Sequence, residues 1–485
     1  MTPNASDTSP VPVVPVVPAP APTQEPPRLF ARGNHAAVSV LAGGTVLYAM
    51  NLYFTAALLP SIVADIGGAH LFAWVATGFL VAAVVASMLV ARAIAALGAR
   101  GAYLVGFGAF ALGSAAAALS PGMGTFIASR VLQGVGGGLL AGLGYAVIRS
   151  ALPQALWLKA AALVSAMWGV GALVGPSLGG IFAELQAWRG AYGVLACIAL
   201  LLGAASLSAL PGRVGGAGRA EPLPFASLGT LVLVAASFSL APVLAPVGYD
   251  GFAIGIGVLL LLLFLLIESR ARHTVLPRMT FQRGNPLKWV YLLVAALCAG
   301  VMLETYVPLF GQELGGLSPV WAGFLGAALS LGWTGSQLFS VRFSPRLASL
   351  VMVLAPVLLA AALVAYGLLQ RGDITGARIA LWVVVLVFAG SGIGAAFPHL
   401  SVRAMGASED PAEGEKAAAA LSTTQLIAYA LVSALLGVFA AGGGADTALV
   451  AERISFGLAA LTGAGVVPGA LLLLARRRGR GAGAA

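Results

Sequence analysis

The chain has 485 residues, of which 60% are hydrophobic and 9% charged, and its mean hydropathy is +0.98. Soluble domains carry about 25% charged residues, so this composition excludes an ordinary water-soluble protein and indicates a polytopic membrane protein. The formal net charge of +10 does not point to a nucleic-acid partner, because the basic residues fall between apolar segments and not in one patch.

In chain order, residues 1–36 form a tail rich in Pro, Ala and Val, with the run P-V-P-V-V-P-V-V-P. Such a segment favours extended polyproline geometry and has no periodic apolar face, so it is expected to be disordered. It lacks the basic flank and compact apolar core of a secretory signal and is expected to stay on the cytoplasmic side.

From there, stretches long enough to cross about 30 Å of hydrocarbon at about 1.5 Å per residue recur almost without pause. They are placed at Ala37–Val63, Phe72–Leu97, Ala102–Ser120, Thr125–Ile148, Ala160–Ala183, Gly190–Leu210 and Ser227–Pro246 in the first part of the chain. Phe252–Ile267, Trp289–Phe310, Val320–Ser340, Leu347–Leu369, Ala377–Leu400, Ala417–Ala441 and Ile454–Leu474 follow. These are fourteen expected spans, the eighth being the shortest. An even number puts both termini on the cytoplasmic side. The segments then expected to be cytoplasmic hold 21 of the 26 Lys and Arg residues, against four outside (Arg189, Arg371, Arg378, Arg453) and Arg130 within the membrane. That segregation is what the positive-inside rule demands. The two cysteines, Cys197 and Cys298, lie inside apolar stretches and read as small core residues, with no disulfide, metal or redox role implied.

The stretch from Ser129 to Gly180 carries the most information. Arg130 stands at the head of a run, Val131–Ile148, that holds no other charge. An ion there costs about 2.5 to 3.5 kcal/mol on insertion scales, so an intramembrane role is the first reading. Farther on, Gly171, Gly175 and Gly179 recur once per helical turn, with Pro176 and Gly180 interrupting the ladder, which makes a ridge for close helix contact with a built-in bend. The alternative is an ordinary small-residue packing helix.

These residues resemble two signatures of the major facilitator superfamily of transporters. Arg130, Gln133 and Gly134 match its fourth-helix R-x-x-Q-G motif, and Gly171, Gly175, Pro176, Gly179 and Gly180 match its fifth-helix G-x-x-x-G-P-x-x-G-G motif, which is associated with proton antiporters that export. The span count is similar to that of the fourteen-helix drug:proton antiporters, with the seventh and eighth spans inserted between the halves. The segment M-N-L-Y-F-T-A-A-L-L-P resembles that family's first-helix signature, although the signature's aspartate falls on Asn51 and its threonine on Tyr53. The charged latch usual after the second helix is degenerate: Ala95 and Ala96 stand where the acid and the arginine would be, and only Gly98 and Arg100 fit.

The resemblance implies an all-α major facilitator fold. Residues 37–211 and 289–475 would be two six-helix bundles, residues 212–288 a linker with two extra helices, and residues 476–485 a basic cytoplasmic tail. It further implies a monomer in the plasma (inner) membrane that exports amphipathic or cationic organic compounds in exchange for protons, without a cofactor or enzymatic activity. Two bundles would rock around a midplane cavity, and a buried carboxyl group that changes neighbours between states would carry the proton. A narrow-substrate metabolite exporter or importer of the same superfamily and a non-transporting sensor or scaffold are the alternatives.

With Asn51 in place of the usual acid, Glu304 is the one acid well inside an expected span and is the candidate proton carrier or cation-recognising carboxylate. Its alternative is an acid at a helix mouth, since Pro308 and Glu313 follow closely. Arg130 and His399 complete the proton-coupling candidates, His399 for its ordinary titration range; a satisfied polar residue at the interface is the other reading of that histidine. Glu184 and Glu268 sit at span ends and read as interfacial anchors. Trp168, Tyr306, Trp333 and Gln337 could line a cavity by stacking and cation–π contact, or be lipid-facing belts or core. The motif positions Asn51, Tyr53 and Gln133 are assigned to the same cavity. No phosphate-binding loop, metal-ligand cluster or nucleophile set appears.

Overall fold

The computed structural model describes residues 29–30, 34–68, 71–212, 224–244, 247–271, 274, 276–282, 284–370, 375–408, 410–441 and 446–482. The tail expected to be disordered falls almost wholly outside these residues, as do Arg213, Arg219, Arg272, Arg283 and Arg371 of the charge count.

All regular structure among the described residues is helical. In hydrocarbon every backbone N–H and C=O must be satisfied within its own segment, and stretches this apolar have no other solution. The helices are α1 (His35–Ile66), α2 (Phe72–Met88), α3 (Val90–Ala118), α4 (Met123–Ala146), α5 (Ile148–Ala151), α6 (Trp157–Glu184) and α7 (Trp188–Ala209). An intervening pair follows, α8 (Phe225–Leu244) and α9 (Asp250–Arg270). The last group is α10 (Leu287–Val301), α11 (Val307–Glu313), α12 (Pro319–Ser340), α13 (Pro345–Leu368), α14 (Gly376–Met405), α15 (Pro411–Ala441), α16 (Thr447–Gly463) and α17 (Val466–Ala482).

Each expected span falls on one of these helices or on a consecutive pair. Among the described residues, ten helices are long and apolar enough to cross a membrane; the other four expected spans fall on α2, α8, α12 and α15. Helix starts follow local chemistry. Pro319 and Pro345 occupy the first turn of their helices, where a missing N–H costs nothing. Ser344, Thr375 and Asp446 cap α13, α14 and α16 by accepting backbone N–H bonds.

The expected end of the second span at Leu97 coincides with a kink, because Gly98 takes φ +73°, a left-handed value that ends one helix and starts the next inside α3. Inside the expected spans the helix is interrupted at Leu89 in the second, at Val147 in the fourth and at residues 464–465 in the fourteenth, and in the ninth a 3₁₀ turn, Met302–Thr305, separates α10 from α11.

Helices α1 to α7 pack on one another, as do α10 to α17, while α8 and α9 pair together and touch α2 and α15. The two main groups meet where α6 crosses α12 and α14 and where α15 lies against α2, α3 and α4. A hydrophobic core runs through both groups, and Val234, Phe238, Ala241 and Ala253 make a separate small one between α8 and α9.

Candidate functional site

Arg130 is 1% exposed. Its Nη1 donates to Asn51 Oδ1 on α1 at 3.1 Å and to Gln133 Oε1 one turn along α4. Gln133 Nε2 in turn donates to Ser114 Oγ on α3 at 2.7 Å, and the guanidinium lies 4.3 Å from the Phe79 ring centroid on α2. Glycine lets four helices converge on one arginine: a Cβ at Gly136 would come within 2.6 Å of the Gly106 carbonyl oxygen of α3, and one at Gly134 would strike the backbone of α2. Arg130 Nε and Asn51 Nδ2 make no hydrogen bond among the described residues. The cation is thus held by amide oxygens and a π face, an arrangement that leaves donors unspent in a dry interior.

Glu304 lies in the 3₁₀ turn and is 9% exposed. The break has a local cause. Pro308 has no N–H for the carbonyl of Glu304 four residues earlier, and its ring crowds that carbonyl. The chain tightens instead, with Tyr306 N bonded to Leu303 O at 2.9 Å. The carboxylate Oε1 accepts a bond from Ser330 Oγ of α12 at 2.7 Å. Tyr53 of α1 and Tyr429 of α15 stand within electrostatic reach of it.

Aromatic rings join these two polar centres. Tyr48 stacks on Phe79 with centroids 5.5 Å apart, and Trp168 meets Tyr48 edge-on at 5.3 Å and Tyr429 at 6.0 Å. The hydroxyl of Tyr48 and the indole N–H of Trp168 have no hydrogen-bond partner among the described residues. One turn away, Trp333 Nε1 donates to Ser165 Oγ at 3.1 Å, binding α12 to α6.

The expected site residues therefore divide. Arg130, Asn51 and Gln133 form one cluster, Glu304 and Tyr53 lie near each other, and Trp168 sits between the two. Trp333 braces the crossing of the two groups. Gln337 is fully buried, and neither of its amide atoms is bonded among the described residues. Tyr306 is half-buried and packs on Phe310 at 6.0 Å. His399 is held elsewhere, its Nε2 3.0 Å from the Ser340 carbonyl oxygen and its ring stacked on Phe343 at 6.2 Å; those are the contacts of a braced helix-end residue. Sequence reading missed Ser114, Ser330, Tyr48 and Tyr429. A signal existed for the last: S-T-T-Q-L-I-A-Y is a polar run inside an expected span, where polar side chains seldom face lipid.

The glycine ladder of α6 faces α1. A Cβ at Gly175 would stand 2.7 Å from the Met50 carbonyl oxygen and one at Gly179 2.9 Å from that of Phe54. Gly180, by contrast, borders open space, and Pro176 lies inside α6 with no N–H to give the preceding turn.

With Ala95 and Ala96 in the usual latch positions, other contacts join the groups at this end of the helices. Arg149 Nη1 donates to the carbonyl oxygens of Met405 at 2.8 Å and Ser408 at 2.9 Å, at the C-terminal end of α14, where unpaired carbonyls and the helix dipole favour a cation. The Arg149 guanidinium also lies 5.6 Å from the ring centroid of Trp157. Ser422 Oγ donates to the Ala141 carbonyl oxygen at 3.0 Å, and Ser87 Oγ pairs with Thr423 Oγ1 at the same distance. Glu268 is buried and accepts from Leu276 N at 2.7 Å. A cavity of about 270 Å³ lined by Glu268, Ser269, Ala271, Arg278 and Phe281 adjoins it; those residues belong to α9 and the segment after it.

The family profile of the Major Facilitator Superfamily matches residues 41–437. A protein named as a probable multidrug-efflux transporter in Mycobacterium tuberculosis (strain ATCC 25618 / H37Rv) is 43% identical over 437 residues, covering 88% of this chain and 92% of its own length. Multidrug resistance protein 3 of Bacillus subtilis (strain 168) is 26% identical over 377 residues, covering 75% and 71%. Among solved structures, the human organic anion transporter MFSD10 superposes with a TM-score of 0.64 at 19% identity, covering 90% of this chain and 99% of that one. The proton:xylose symporter XylE gives 0.63 at 13%, covering 91% and 94%; at such identities the likeness speaks for the fold alone. On the family match, the 43% relative and this helical architecture, the chain is a multi-pass membrane protein and belongs to the Major Facilitator Superfamily of transporters.

Proposed function

We propose that this protein is a proton-coupled exporter of amphipathic or cationic organic compounds, working by alternating access in the plasma membrane. In this reading it is a monomer of the fourteen-helix type with both termini cytoplasmic. Residues 37–211 and 289–475 are its two bundles, 212–288 the inserted pair, and 476–485 a basic tail. The observation that carries it is Glu304: a buried carboxylate at a helix break, bonded to Ser330, with Tyr53 and Tyr429 within electrostatic reach. The 43% identical relative, whose name says multidrug efflux, supports the direction of transport.

The chemistry follows from competition for one site. Glu304 takes a proton when the cavity faces outside, and its neutral form tolerates the closed, dry state. Facing inside, it releases the proton, and the carboxylate and the rings of Trp168, Tyr48 and Tyr429 attract a flat cation. Each pH unit across the membrane supplies about 1.4 kcal/mol per proton and each 100 mV about 2.3 kcal/mol. Arg130, bonded by Asn51 and Gln133, holds a fixed positive charge in the other bundle. The glycine ridge of α6 lets α1 and α6 move as one body.

Efflux of a cationic dye from energised cells or inverted vesicles tests this. Uncoupler-sensitive efflux that is lost in Glu304→Gln is the expected result. Efflux that ignores the uncoupler refutes antiport, and efflux that survives Glu304→Gln refutes Glu304 as the carrier. Failure across a broad dye panel would favour the narrow-substrate or non-transporting readings.

A further inference from the structure

Ser330 touches two things at once. Its hydroxyl donates to Glu304, 2.7 Å away, and it is 2% exposed. Its backbone carbonyl lies at the point where α12 crosses α6: a Cβ placed on Gly169 of α6 would stand 2.9 Å from that oxygen and would overlap Thr334 Oγ1 one turn on. The Trp333–Ser165 bond fastens the same two turns. On its far side α12 is held just as closely, since a Cβ at Gly332 or at Gly390 of α14 would collide with the facing backbone. This turn of α12 therefore has no slack, and a change in it must be felt across the contact between the two bundles.

We propose that Ser330 is a positioning residue that transmits the protonation state of Glu304 to the crossing of α6 over α12; this rests on the antiport reading above. An ionised Glu304 can only accept, so the Ser330 hydroxyl donates to it. A protonated Glu304 has a hydrogen to donate. It gives that hydrogen to Ser330 Oγ, whose own hydrogen then turns to the carbonyl of Gly326 four residues earlier. Such back-bonding of a serine in a helix bends it. The bend arises in the turn that Gly169 receives without clearance, so gain or loss of one proton alters the fit between α6 and α12 and biases which side of the cavity is open. Among the described residues, ionisable groups near Glu304 include Tyr53 of α1, Tyr429 of α15 with Cys298 of α10 bonded to it, and Tyr306 at the end of its own turn. Of the elements packed against its turn, α11 carries Glu313, which accepts from Thr447 Oγ1, and α16 carries Glu452 and Arg453 in its first turns.

The test uses the purified full-length protein in proteoliposomes, with ethidium as the probe, comparing the parent with Glu304→Gln, Ser330→Ala and Ser330→Thr. Two readouts are taken: uphill transport driven by an imposed pH gradient, and dye counterflow at equal pH, which needs alternating access but no net proton movement. Ser330→Ala is expected to lose gradient-driven transport by about tenfold or more, the scale of one hydrogen bond to a charged group, and by a larger factor than it loses counterflow. The pH profile of Ser330→Ala should move toward higher pH by about one unit, because the lost donor favoured the carboxylate. Ser330→Thr keeps a hydroxyl and should restore both. A parent that ignores the gradient overturns the antiport reading and this inference with it. A coupled parent disabled by Glu304→Gln, beside a Ser330→Ala variant with parental driven transport and pH profile, overturns this inference alone. A Ser330→Thr variant with normal counterflow but the coupling defect of Ser330→Ala also overturns it.

Discussion

Pro308 stands one helical turn beyond Glu304 and has no N–H to give that residue's carbonyl, so the chain breaks into a 3₁₀ turn at the buried acid. Pro308→Ala should allow α10 and α11 to join and turn Glu304 away from Ser330. Gradient-driven efflux should fall several-fold while the thermal midpoint changes little, since Pro308 occupies the first turn of α11, where a missing N–H costs nothing. A Pro308→Ala variant that pumps like the parent would show that the break is not needed.

Arg149 bridges to the end of α14 through two backbone carbonyls. Hydrogen bonds to a charged group contribute about 1.5 to 3 kcal/mol each when buried and less when partly wet. Arg149→Ala should therefore shift the population toward a state open at this end by about tenfold. Labelling of an Ala141→Cys probe by a maleimide applied from the cytoplasmic side, in a background lacking Cys197 and Cys298, should rise accordingly. Unchanged labelling would show that the bridge is dispensable for closure.

Gly175 and Gly180 make a controlled pair on α6. A Cβ on the first would press on the Met50 carbonyl, while one on the second meets nothing within 4 Å. Gly175→Val should lower stability by about 1 to 3 kcal/mol through overpacking. Gly180→Ala should be neutral or raise stability by about 0.5 to 1 kcal/mol, the usual helix preference for alanine. Thermal unfolding in detergent reads both, and equal effects would contradict the packing described.

Asn51 gives Arg130 an oxygen but leaves its own amide N–H unspent. Asn51→Asp removes that orphan and supplies a carboxylate to the buried cation, so it should fold normally and raise the thermal midpoint. Arg130→Gln should leave Asn51 and Gln133 without their shared donor and lower it. The reverse order of midpoints would mean that Arg130 is neutralised by other means.

The positions of the expected spans were legible because each depends on its own residues. Every stretch that enters hydrocarbon must close its hydrogen bonds within itself, and Gly, Pro and Ser mark where it stops, as at Ser344 and Pro345. The break in the ninth span was signalled by Pro308, but whether a proline bends, kinks or interrupts a helix depends on what packs beside it. His399 shows the same limit: its imidazole suits proton exchange, and its neighbours Ser340 and Phe343 are not encoded in any spacing.

By itself, then, the sequence determined the membrane class, the helices, the segregation of basic residues and the two motifs on α4 and α6, all of them local properties. Tertiary structure decided which polar groups meet. Ser330 reaches Glu304 across 26 residues and Arg149 reaches Met405 across 256, and no periodicity in the chain encodes such pairings. In an interior without water a buried donor or acceptor is costly until it finds a partner, and only the packing of whole helices chooses that partner.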